Sequence, residues 1–247
     1  MNVIINGIGG RMGAELYKLA KQGYKDVTCV AGVDLNAVEL DIPTYTSWEE
    51  VKEVADCIID FSHHSSVNTL LPYAMEKGVA VVVATTGHTE EEKALIEKAA
   101  SVIPVFHSAN MSLGVALLCE LAKITAKTMV DADIEIIEKH HNRKLDAPSG
   151  TALMLARAIK EVREKANFVL GRSGQSKRTK EEIGIHAIRM GNIVGEHEVI
   201  VGTDSQTITL KHEAHSRALF AEGGITAAVY VAGRPAGLYN MQDMISE

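Results

Sequence analysis

The feature that most constrains the fold is a glycine-rich turn between an apolar segment and an amphipathic segment at the start of the chain. Asn2–Asn6 is apolar and predicts a short strand, and the turn after it reads Gly7-Ile8-Gly9-Gly10-Arg11-Met12-Gly13. Apolar residues then recur with helical spacing over residues 14–20. Such a turn lets a pyrophosphate approach the amides at a helix start, so the sequence predicts a dinucleotide-binding fold. Met12 stands where the third glycine of the usual pattern falls, and Arg11 adds a charge beside the expected phosphates.

An acidic residue at the end of the second predicted strand bears on the choice of dinucleotide. This strand covers residues 27–33, and Asp34 follows it, roughly 20 residues beyond the glycine turn. A carboxylate there is expected to accept hydrogen bonds from the adenosine ribose of NAD. Leu35 occupies the place where an arginine would hold the 2′-phosphate of NADP. The sequence therefore predicts a preference for NADH over NADPH, although Arg11 or a lysine could still reach a 2′-phosphate.

Strands and helices continue to alternate through the first hundred residues. Strands at 57–61 and 80–84 and helices at 67–77 and 90–100 predict a parallel sheet, whose ligands bind at the carboxyl ends of the strands. Three turns lie there, and Thr85, Thr86 and the backbone near Asn110 are expected to face the ribose and nicotinamide. His63 and His64 share one of these turns, where we expect solvated polar residues more than catalytic ones.

Composition excludes several classes of protein. The chain has 247 residues, 46% of them hydrophobic, and a formal charge of −7, which argues against general nucleic-acid binding. Three widely spaced cysteines predict neither a disulfide framework nor a metal site and are typical of a cytoplasmic protein. No apolar run approaches a membrane span, and the first residues predict a strand and not a leader peptide.

The second half contains a cationic loop between a predicted strand and a predicted helix. Residues 134–137 are rich in β-branched side chains, and residues 151–164 carry apolar residues at helical spacing. Between them lie paired histidines, two cations, and Pro148 and Ser149, which suit a helix start. Free amides at a helix start attract anions, and Gly150 would allow close approach. A small anionic ligand and an ordinary solvated loop both fit this pattern.

The remaining segments predict a second domain and a return to the first. A helix within residues 111–129 leads into the second domain, residues 171–182 are polar and predict an exposed loop, and residues 183–213 show the alternation typical of antiparallel strands. A sheet of this kind could bury its second face against another subunit, which predicts a homo-oligomer. A helix over 219–231 is expected to rejoin the first domain, and residues 238–245 to add a short turn. We therefore predict an α/β fold with a discontinuous Rossmann-like nucleotide-binding domain, 1–110 and 217–247, and an α+β domain with a mixed or antiparallel sheet, 111–216.

At this point the residues resemble a specific family. The run from Glu138 to Ala152 reads E-K-H-H-N-R-K-L-D-A-P-S-G-T-A and is similar to the signature of 4-hydroxy-tetrahydrodipicolinate reductase, also called dihydrodipicolinate reductase, of bacterial lysine and diaminopimelate synthesis. The glycine turn and the segments 84–87, 108–111 and 191–197 resemble other blocks of that family, in its order. Two departures bear on cofactor choice: the segment between Asp34 and Pro43 is short, and Leu35 replaces a basic residue.

The resemblance implies roles for individual residues. It makes His140 the catalytic acid/base and Lys144 the proton donor, and it implies an NADH or NADPH cofactor, a small dicarboxylate substrate and a homotetramer. Substrate contacts are implied for His141, Gly150 and Thr151, and Arg217 is added because two carboxylates need cationic surroundings. The implied cofactor contacts are Gly7, Ile8, Gly9, Gly10, Arg11, Met12, Asp34, Ala84, Thr85, Thr86, Ser108, Ala109, Asn110 and Met111.

The residue chemistry agrees with this assignment. Hydride addition to a cyclic imine-type dicarboxylate leaves a carbon that needs a proton, and Lys144 or His140 can supply one by general acid catalysis. Two rival functions stay open: another two-domain NAD(P) oxidoreductase, and a dinucleotide-sensing regulator without catalysis. The long histidine motif argues against the first, and the acidic composition shows no partner surface for the second.

Overall fold

The computed structural model describes all residues from 1 to 247. The chain divides into two compact units, Met1–Ser112 with Arg217–Glu247, and Leu113–Ser216. The strands are β1 Asn2–Asn6, β2 Thr28–Val33, β3 Thr44–Tyr45, β4 Cys57–Asp60, β5 Ala80–Val83, β6 Pro104–His107, β7 Asp133–His140, β8 Asn167–Leu170, β9 Glu182–Arg189, β10 Gly195–Gly202, β11 Thr207–Ala214 and β12 Gly237–Tyr239. The helices are α1 Arg11–Lys21, α2 Val67–Lys77, α3 Glu90–Ala100, α4 Leu113–Thr128, α5 Gly150–Val162, α6 Ala218–Val231 and α7 Met241–Ile245.

The first unit is built on a seven-stranded sheet in the order β12-β6-β5-β4-β1-β2-β3, and all its paired strands run parallel. The predicted parallel sheet is confirmed. Strands β4 and β5 are buried along their whole length, which explains their continuous apolar sequence. The carboxyl ends of β1, β4, β5 and β6 therefore lie side by side at one edge of the sheet.

The glycine turn has the geometry that the sequence predicts. Gly7 has a φ of +79°, and a Cβ on it would lie 2.9 Å from the Cα of Ser62, so only glycine fits there. Helix α1 begins at Arg11. A Cβ on Gly13 would lie 2.1 Å from the carbonyl oxygen of Gly7. Gly13 thus provides the close packing of helix on turn that the third glycine provides in the usual pattern, which explains why Met12 is tolerated.

The second unit contains a five-stranded sheet in the order β11-β10-β7-β9-β8. Strand β10 runs antiparallel to β7 and β11, but β9 runs parallel to β7 and to β8. The expectation that the whole segment 183–213 is antiparallel is wrong for β9. Helix α5 returns the chain so that β8 runs in the same direction as β7, and residues 171–181 return it again so that β9 runs parallel to both. Alternating apolar residues in a sequence, such as Ile183 and Ile185, fit either strand direction and do not distinguish the two.

The core of the second unit lies between its two helices and one face of this sheet. Ile134 and Ile136 of β7 pack there with Leu155 and Ile159 of α5 and Val199 of β10. The opposite face of the sheet is not covered by either helix of this unit. Strand β7 extends beyond the predicted apolar segment and ends at His140, so this histidine belongs to a strand and not to the loop.

The return segment completes the first unit. Helix α6 packs against α1 and the parallel sheet, and a Cβ on Gly223 would lie 1.7 Å from the carbonyl oxygen of Met111, so this contact requires glycine. Beyond α6, the predicted terminal turn contains instead the edge strand β12, which pairs with β6, and helix α7. None of the helices has both the length and the apolar character needed to cross a membrane.

Candidate active site

A buried carboxylate lies at the centre of the histidine motif. Glu138, near the end of β7, is completely buried, and both its oxygens accept hydrogen bonds from the guanidinium of Arg189 on β9, at 2.7 Å each. The backbone amide of Ser149 donates a third hydrogen bond, at 2.9 Å. Burial alone would raise the pKa of Glu138, but hydrogen bonds from His140, Arg189 and Ser149 lower this pKa to about 2. Glu138 is therefore ionised throughout the physiological range.

The ionised carboxylate sets the orientation of His140. Nδ1 of His140 lies 2.6 Å from Oε2 of Glu138. Because an ionised carboxylate can only accept, Nδ1 carries a proton and donates it, which leaves Nε2 as the nitrogen that can exchange protons in the neutral ring. A Cβ on Gly195 would lie 3.1 Å from Nε2, so glycine at this position keeps the nitrogen uncrowded. The pair resembles the carboxylate–histidine arrangements that orient catalytic imidazoles.

Ser149 connects the start of α5 to a second histidine. Its hydroxyl accepts a hydrogen bond from the amide of Ala152 at 3.1 Å, which confirms the predicted helix cap. The same hydroxyl lies 3.0 Å from Nε2 of His197, whose ring is 5.2 Å from that of His140. Burial and the neighbouring His140 lower the pKa of His197 to about 4. His197 is therefore neutral near pH 7 and keeps the buried network free of a second positive charge.

Lys144 lies in the loop between β7 and α5. Its amide donates to the carbonyl of His141 at 3.1 Å, which closes a turn, and its ammonium lies 2.8 Å from Oδ1 of Asp146. This hydrogen bond lowers the pKa of Asp146. The carboxylate of Asp146 is 60% exposed, whereas the Lys144 side chain is only 21% exposed. The ammonium is thus held in the loop by a partner that an incoming carboxylate can replace.

The other predicted substrate contacts flank this loop. The amide of His141 donates to the carbonyl of Ile193 at 2.8 Å, which ties the loop to the segment before β10. Gly150 and Thr151 form the first turn of α5, and the space beside the Cα of Gly150 is open. The structure therefore brings His140, His141, Lys144 and the start of α5 together within the second unit. Arg217 lies immediately before α6 in the first unit, and its role in substrate binding stays a prediction.

The glycine turn of the first unit borders a cavity of about 1040 Å³. This cavity is lined by Gly7, Gly10, Asp34, Leu35 and Phe61, among others. Oδ2 of Asp34 accepts a hydrogen bond from the amide of Gly9 at 3.0 Å, so the carboxylate lies directly against the turn. Helix α1 has no acidic residue in its first turn and no side-chain cap. The turn, the uncapped helix start and the adjacent carboxylate fit the pyrophosphate and ribose of a dinucleotide.

The remaining predicted cofactor residues lie at the same edge of the parallel sheet. Ala84, Thr85 and Thr86 follow β5, and Ser108 to Met111 follow β6. Thr85 is buried and its hydroxyl lies 3.0 Å from Nε2 of His88, whereas Thr86 is exposed. The hydroxyl of Ser108 bonds to the carbonyl of Asn110 at 2.8 Å, which shapes the second turn. Arg11 at the glycine turn is exposed.

The paired histidines after β4 have local partners. His63 accepts a hydrogen bond from the amide of Ser65 and caps a short 3₁₀ turn. His64 lies 2.8 Å from the carboxylate of Glu92, at the start of α3. These contacts agree with the expectation that the two histidines are polar residues of a turn.

Sequence reasoning missed several residues of the site. Glu138 stands in the histidine motif but was assigned no role, and Arg189 and His197 lie far from it along the chain. The available signal was the position of Glu138, two residues before His140 and hence on the same face of the strand. No sequence signal identifies Arg189, because its pairing with Glu138 depends on the parallel register of β7 and β9.

The fold and the two sites define a class: a dinucleotide-binding α/β oxidoreductase with a separate mixed-sheet domain. Models of the dihydrodipicolinate reductase N-terminus and C-terminus match residues 1–111 and 114–245. A 4-hydroxy-tetrahydrodipicolinate reductase of Caldanaerobacter subterraneus subsp. tengcongensis is 48% identical, over 100% of this chain and 99% of the relative. The homologous reductase of Clostridium tetani is 45% identical, over 100% and 97%. The chain belongs to the dihydrodipicolinate reductase family.

Solved structures agree with this assignment. The dipicolinate-bound dihydrodipicolinate reductase from Paenisporosarcina sp. TG-14 matches with a TM-score of 0.83 and 25% identity, over 99% of both chains. A probable dehydrogenase from Thermotoga maritima matches with a TM-score of 0.62 at 10% identity, over 98% of this chain and 92% of that chain, which shows the fold alone. The family resemblance, the fold class and the oxidoreductase function expected from the sequence are confirmed.

The buried histidine predicts how stability depends on pH. In the unfolded chain His197 binds a proton near pH 6.5, but in the folded protein only near pH 4. The unfolded state thus binds more protons between these values, and stability falls as the pH drops through this window, by up to about 1.4 kcal/mol per pH unit. Glu138, with its pKa lowered to about 2, adds a further loss of stability below pH 4.5.

Urea unfolding at several pH values tests this account. His197→Gln should flatten the decline in the free energy of unfolding between pH 6.5 and 4 and leave the decline below pH 4.5. Identical profiles for both proteins would contradict this account.

Proposed function

We propose that this protein catalyses the NAD(P)H-dependent reduction of 4-hydroxy-tetrahydrodipicolinate to tetrahydrodipicolinate in the diaminopimelate pathway of lysine biosynthesis. The observation that carries the proposal is the buried Glu138 carboxylate, which Arg189 keeps ionised and which accepts the Nδ1 proton of His140 at 2.6 Å. A strand end of this kind supplies an oriented imidazole, and the following loop supplies an ammonium and a helix start. These are the groups that binding and protonating a dicarboxylate require.

The substrate is a dianion, and the second unit offers positive groups for it. The ammonium of Lys144 can exchange the exposed carboxylate of Asp146 for a substrate carboxylate. The first turn of α5, with open space at Gly150 and a hydroxyl at Thr151, can receive the other carboxylate. His141, tied to Ile193 through its backbone, is placed to contact the substrate from the loop.

The reaction replaces the 4-hydroxyl group of the substrate by hydrogen, so it consumes one hydride and one proton and releases one water. The glycine turn and the turns after β5 and β6 would hold a reduced dinucleotide, whose nicotinamide would supply the hydride. Lys144 would donate the proton to the enamine-type carbon that hydride addition leaves, and His140, oriented by Glu138, would act as acid/base through Nε2. The side chain of His140 is only 11% exposed, which limits the access of water to its ring.

Two substitutions test these roles directly. His140→Ala and Lys144→Ala should each lower kcat by about 10²- to 10⁴-fold, the usual contribution of general acid catalysis. The Kd for NADH should change less than about twofold in both variants, because neither residue lies in the unit that holds the glycine turn. The measurement is loss of NADH absorbance in a coupled assay that generates the substrate from pyruvate and aspartate semialdehyde.

Lys180→Ala is a matched control, because this lysine is 80% exposed and its only ion pair is with the exposed Asp131. It should retain wild-type turnover. Near-normal kcat in His140→Ala and Lys144→Ala would refute the assigned roles. Tight NADH binding by the wild-type protein with no turnover would instead favour a dinucleotide-sensing protein.

We further propose that NADH is the preferred cofactor. Asp34 holds its carboxylate against the glycine turn through the amides of Gly9 and Asn36, and Leu35 beside it is 90% exposed and uncharged. A 2′-phosphate placed beside this carboxylate would meet a like charge, whereas ribose hydroxyls can donate to it.

The cofactor preference is measured by kcat/KM with each dinucleotide. NADH should give the higher value, and Asp34→Asn should reduce the ratio of the two values by removing the charge while keeping the side-chain shape. A clear NADPH preference in the wild-type protein, or an unchanged ratio in Asp34→Asn, would contradict the proposal.

We propose that the uncovered face of the five-stranded sheet assembles a homotetramer. Ion pairs cross this face from Lys139 to Glu196 and Glu198, at 3.0 Å each, and Ile137 and Ile200 lie among them, half-buried. A face with paired charges and interspersed isoleucines can pack against a second copy of itself without leaving a charge unpaired.

Light scattering after size exclusion tests the assembly. The wild-type protein should have four times the 26.7 kDa mass of one chain, and Ile137→Lys should reduce it by placing a charge on the face. Val102→Lys changes an exposed valine of the first unit, at 55% exposure, and should leave the mass unchanged. A wild-type particle of one chain would exclude the tetramer.

We infer that the enzyme acts in the cytoplasm. All three cysteines are free and buried, and burial raises the pKa of Cys29 to about 12 and that of Cys119 to about 11. Cysteines used as small apolar core residues are typical of proteins in a reducing compartment.

A further inference from the structure

A second buried carboxylate lies at the edge of the parallel sheet that carries the glycine turn. Asp60 is the last residue of β4 and is completely buried. Asp60 forms no ion pair. Burying a carboxylate without a cation costs free energy unless hydrogen bonds compensate for the lost contacts with water. Burial raises the pKa of Asp60, and hydrogen bonds from Ser62, Ser66 and Asn6 oppose this rise. A carboxylate that is buried without a cation but bonded to several donors indicates a role beyond packing.

The hydrogen bonds to Asp60 come from three different segments. Oδ1 accepts from the side-chain amide of Asn6 at 2.8 Å and from the hydroxyl and the amide of Ser62 at 2.5 and 3.1 Å. Oδ2 accepts from the hydroxyl of Ser66 at 2.9 Å and, more weakly, from that of Thr85 at 3.5 Å. The donors therefore belong to the ends of β1 and β5 and to the turn after β4.

These segments are neighbours because of the strand order. Strand β4 lies between β1 and β5, and Asp60 is in register with Asn6 on one side and with Val83 on the other. The carbonyl of Asp60 also accepts a hydrogen bond from the amide of Ala84 at 3.0 Å. Asp60 thus contacts residues at the starts of three neighbouring turns, those after β1, β4 and β5.

The contacts continue to the glycine turn itself. Gly7 packs so closely on Ser62 that a Cβ would lie 2.9 Å from both the Cα and the Cβ of Ser62. Ser62 is in turn held by Asp60 through its hydroxyl and its amide. The position of the glycine turn therefore depends on Asp60 both through Asn6, which precedes the turn, and through Ser62, on which it packs.

We propose that Asp60 is a positioning residue for the cofactor, which aligns the glycine turn with the turn that begins at Ala84. The inference rests on the proposed function, in which these turns hold the two halves of a dinucleotide. Asp60 itself need not touch the cofactor: it sets the spacing between the turn for the pyrophosphate and the turn for the nicotinamide. Misplacement of binding groups by about 1 Å can reduce activity by about 10²-fold, so loss of this alignment has a measurable effect.

Cofactor binding without chemistry tests the inference. Asp60→Ala removes all the acceptors and should raise the Kd for NADH, measured by calorimetry well below the melting temperature, by at least about tenfold. Asp60→Asn keeps one oxygen for Asn6 and Ser62, and the hydroxyls of Ser66 and Thr85 can accept from its amide, so the Kd should rise less than about threefold. In steady-state assays of Asp60→Ala, the KM for NADH should increase by a larger factor than kcat decreases.

Asp56→Ala is the matched control. Asp56 precedes the same strand at the opposite edge of the sheet, where it accepts a hydrogen bond from the amide of Asn2 at 2.7 Å. This variant should lower the melting temperature and leave the Kd for NADH within twofold of the wild-type value. A purely structural role for Asp60 predicts the same result for Asp60→Ala.

If Asp60→Ala does not fold, Asn6→Ala replaces it in the test, because it removes the donor that joins Asp60 to the residue before Gly7. A folded Asp60→Ala, or failing that a folded Asn6→Ala, that binds NADH within twofold of wild type would overturn the inference. A wild-type protein that binds neither NADH nor NADPH would instead refute the proposed function, so the two failures are distinguishable.

Discussion

The candidate active site depends on the ionised, fully buried carboxylate of Glu138. Three groups stabilise it: the guanidinium of Arg189, the amide of Ser149 and the ring of His140. Removal of one partner from a buried ion pair costs about 3–5 kcal/mol, because the other charge stays buried without compensation. The same carboxylate joins β7, β9 and the start of α5, so the elements that form the site are held together by the group that orients its histidine.

Both units place a buried acidic residue at or near the carboxyl end of a central strand, but with different electrostatics. Glu138 has a cation beside it, and its pKa is about 2. Asp60 has only neutral donors, and burial raises its pKa. The difference suits what each residue holds. Glu138 orients the imidazole of His140 through one carboxylate oxygen, whereas Asp60 joins two backbone turns through neutral donors on both of its oxygens.

The sequence predicted local structure well where the signal is local. The glycine turn, the bounds of α2 and α3 and the Ser149 cap follow from spacing and residue type. Strand direction did not follow, because β9 shows the same alternation whether its neighbour is parallel or antiparallel. The short strands β3, β8 and β12 have only two to four residues and no periodicity to detect. Arg189 was missed because its importance arises from register, which brings it to Glu138 from 51 residues away.

The two ion pairs of the candidate site differ in a way that bears on substrate binding. In the pair of Glu138 and Arg189 the carboxylate is fully buried and accepts two hydrogen bonds from a partly exposed guanidinium, so removing the cation would be costly. The pair of Lys144 and Asp146 has a mostly exposed carboxylate, and such pairs contribute only about 0–1 kcal/mol. A substrate carboxylate can therefore displace Asp146 from Lys144 at little cost in free energy, while the orientation of His140 is unaffected. The site thus combines a fixed pair that orients His140, the proposed acid/base, with an exchangeable pair that holds Lys144, the proposed proton donor.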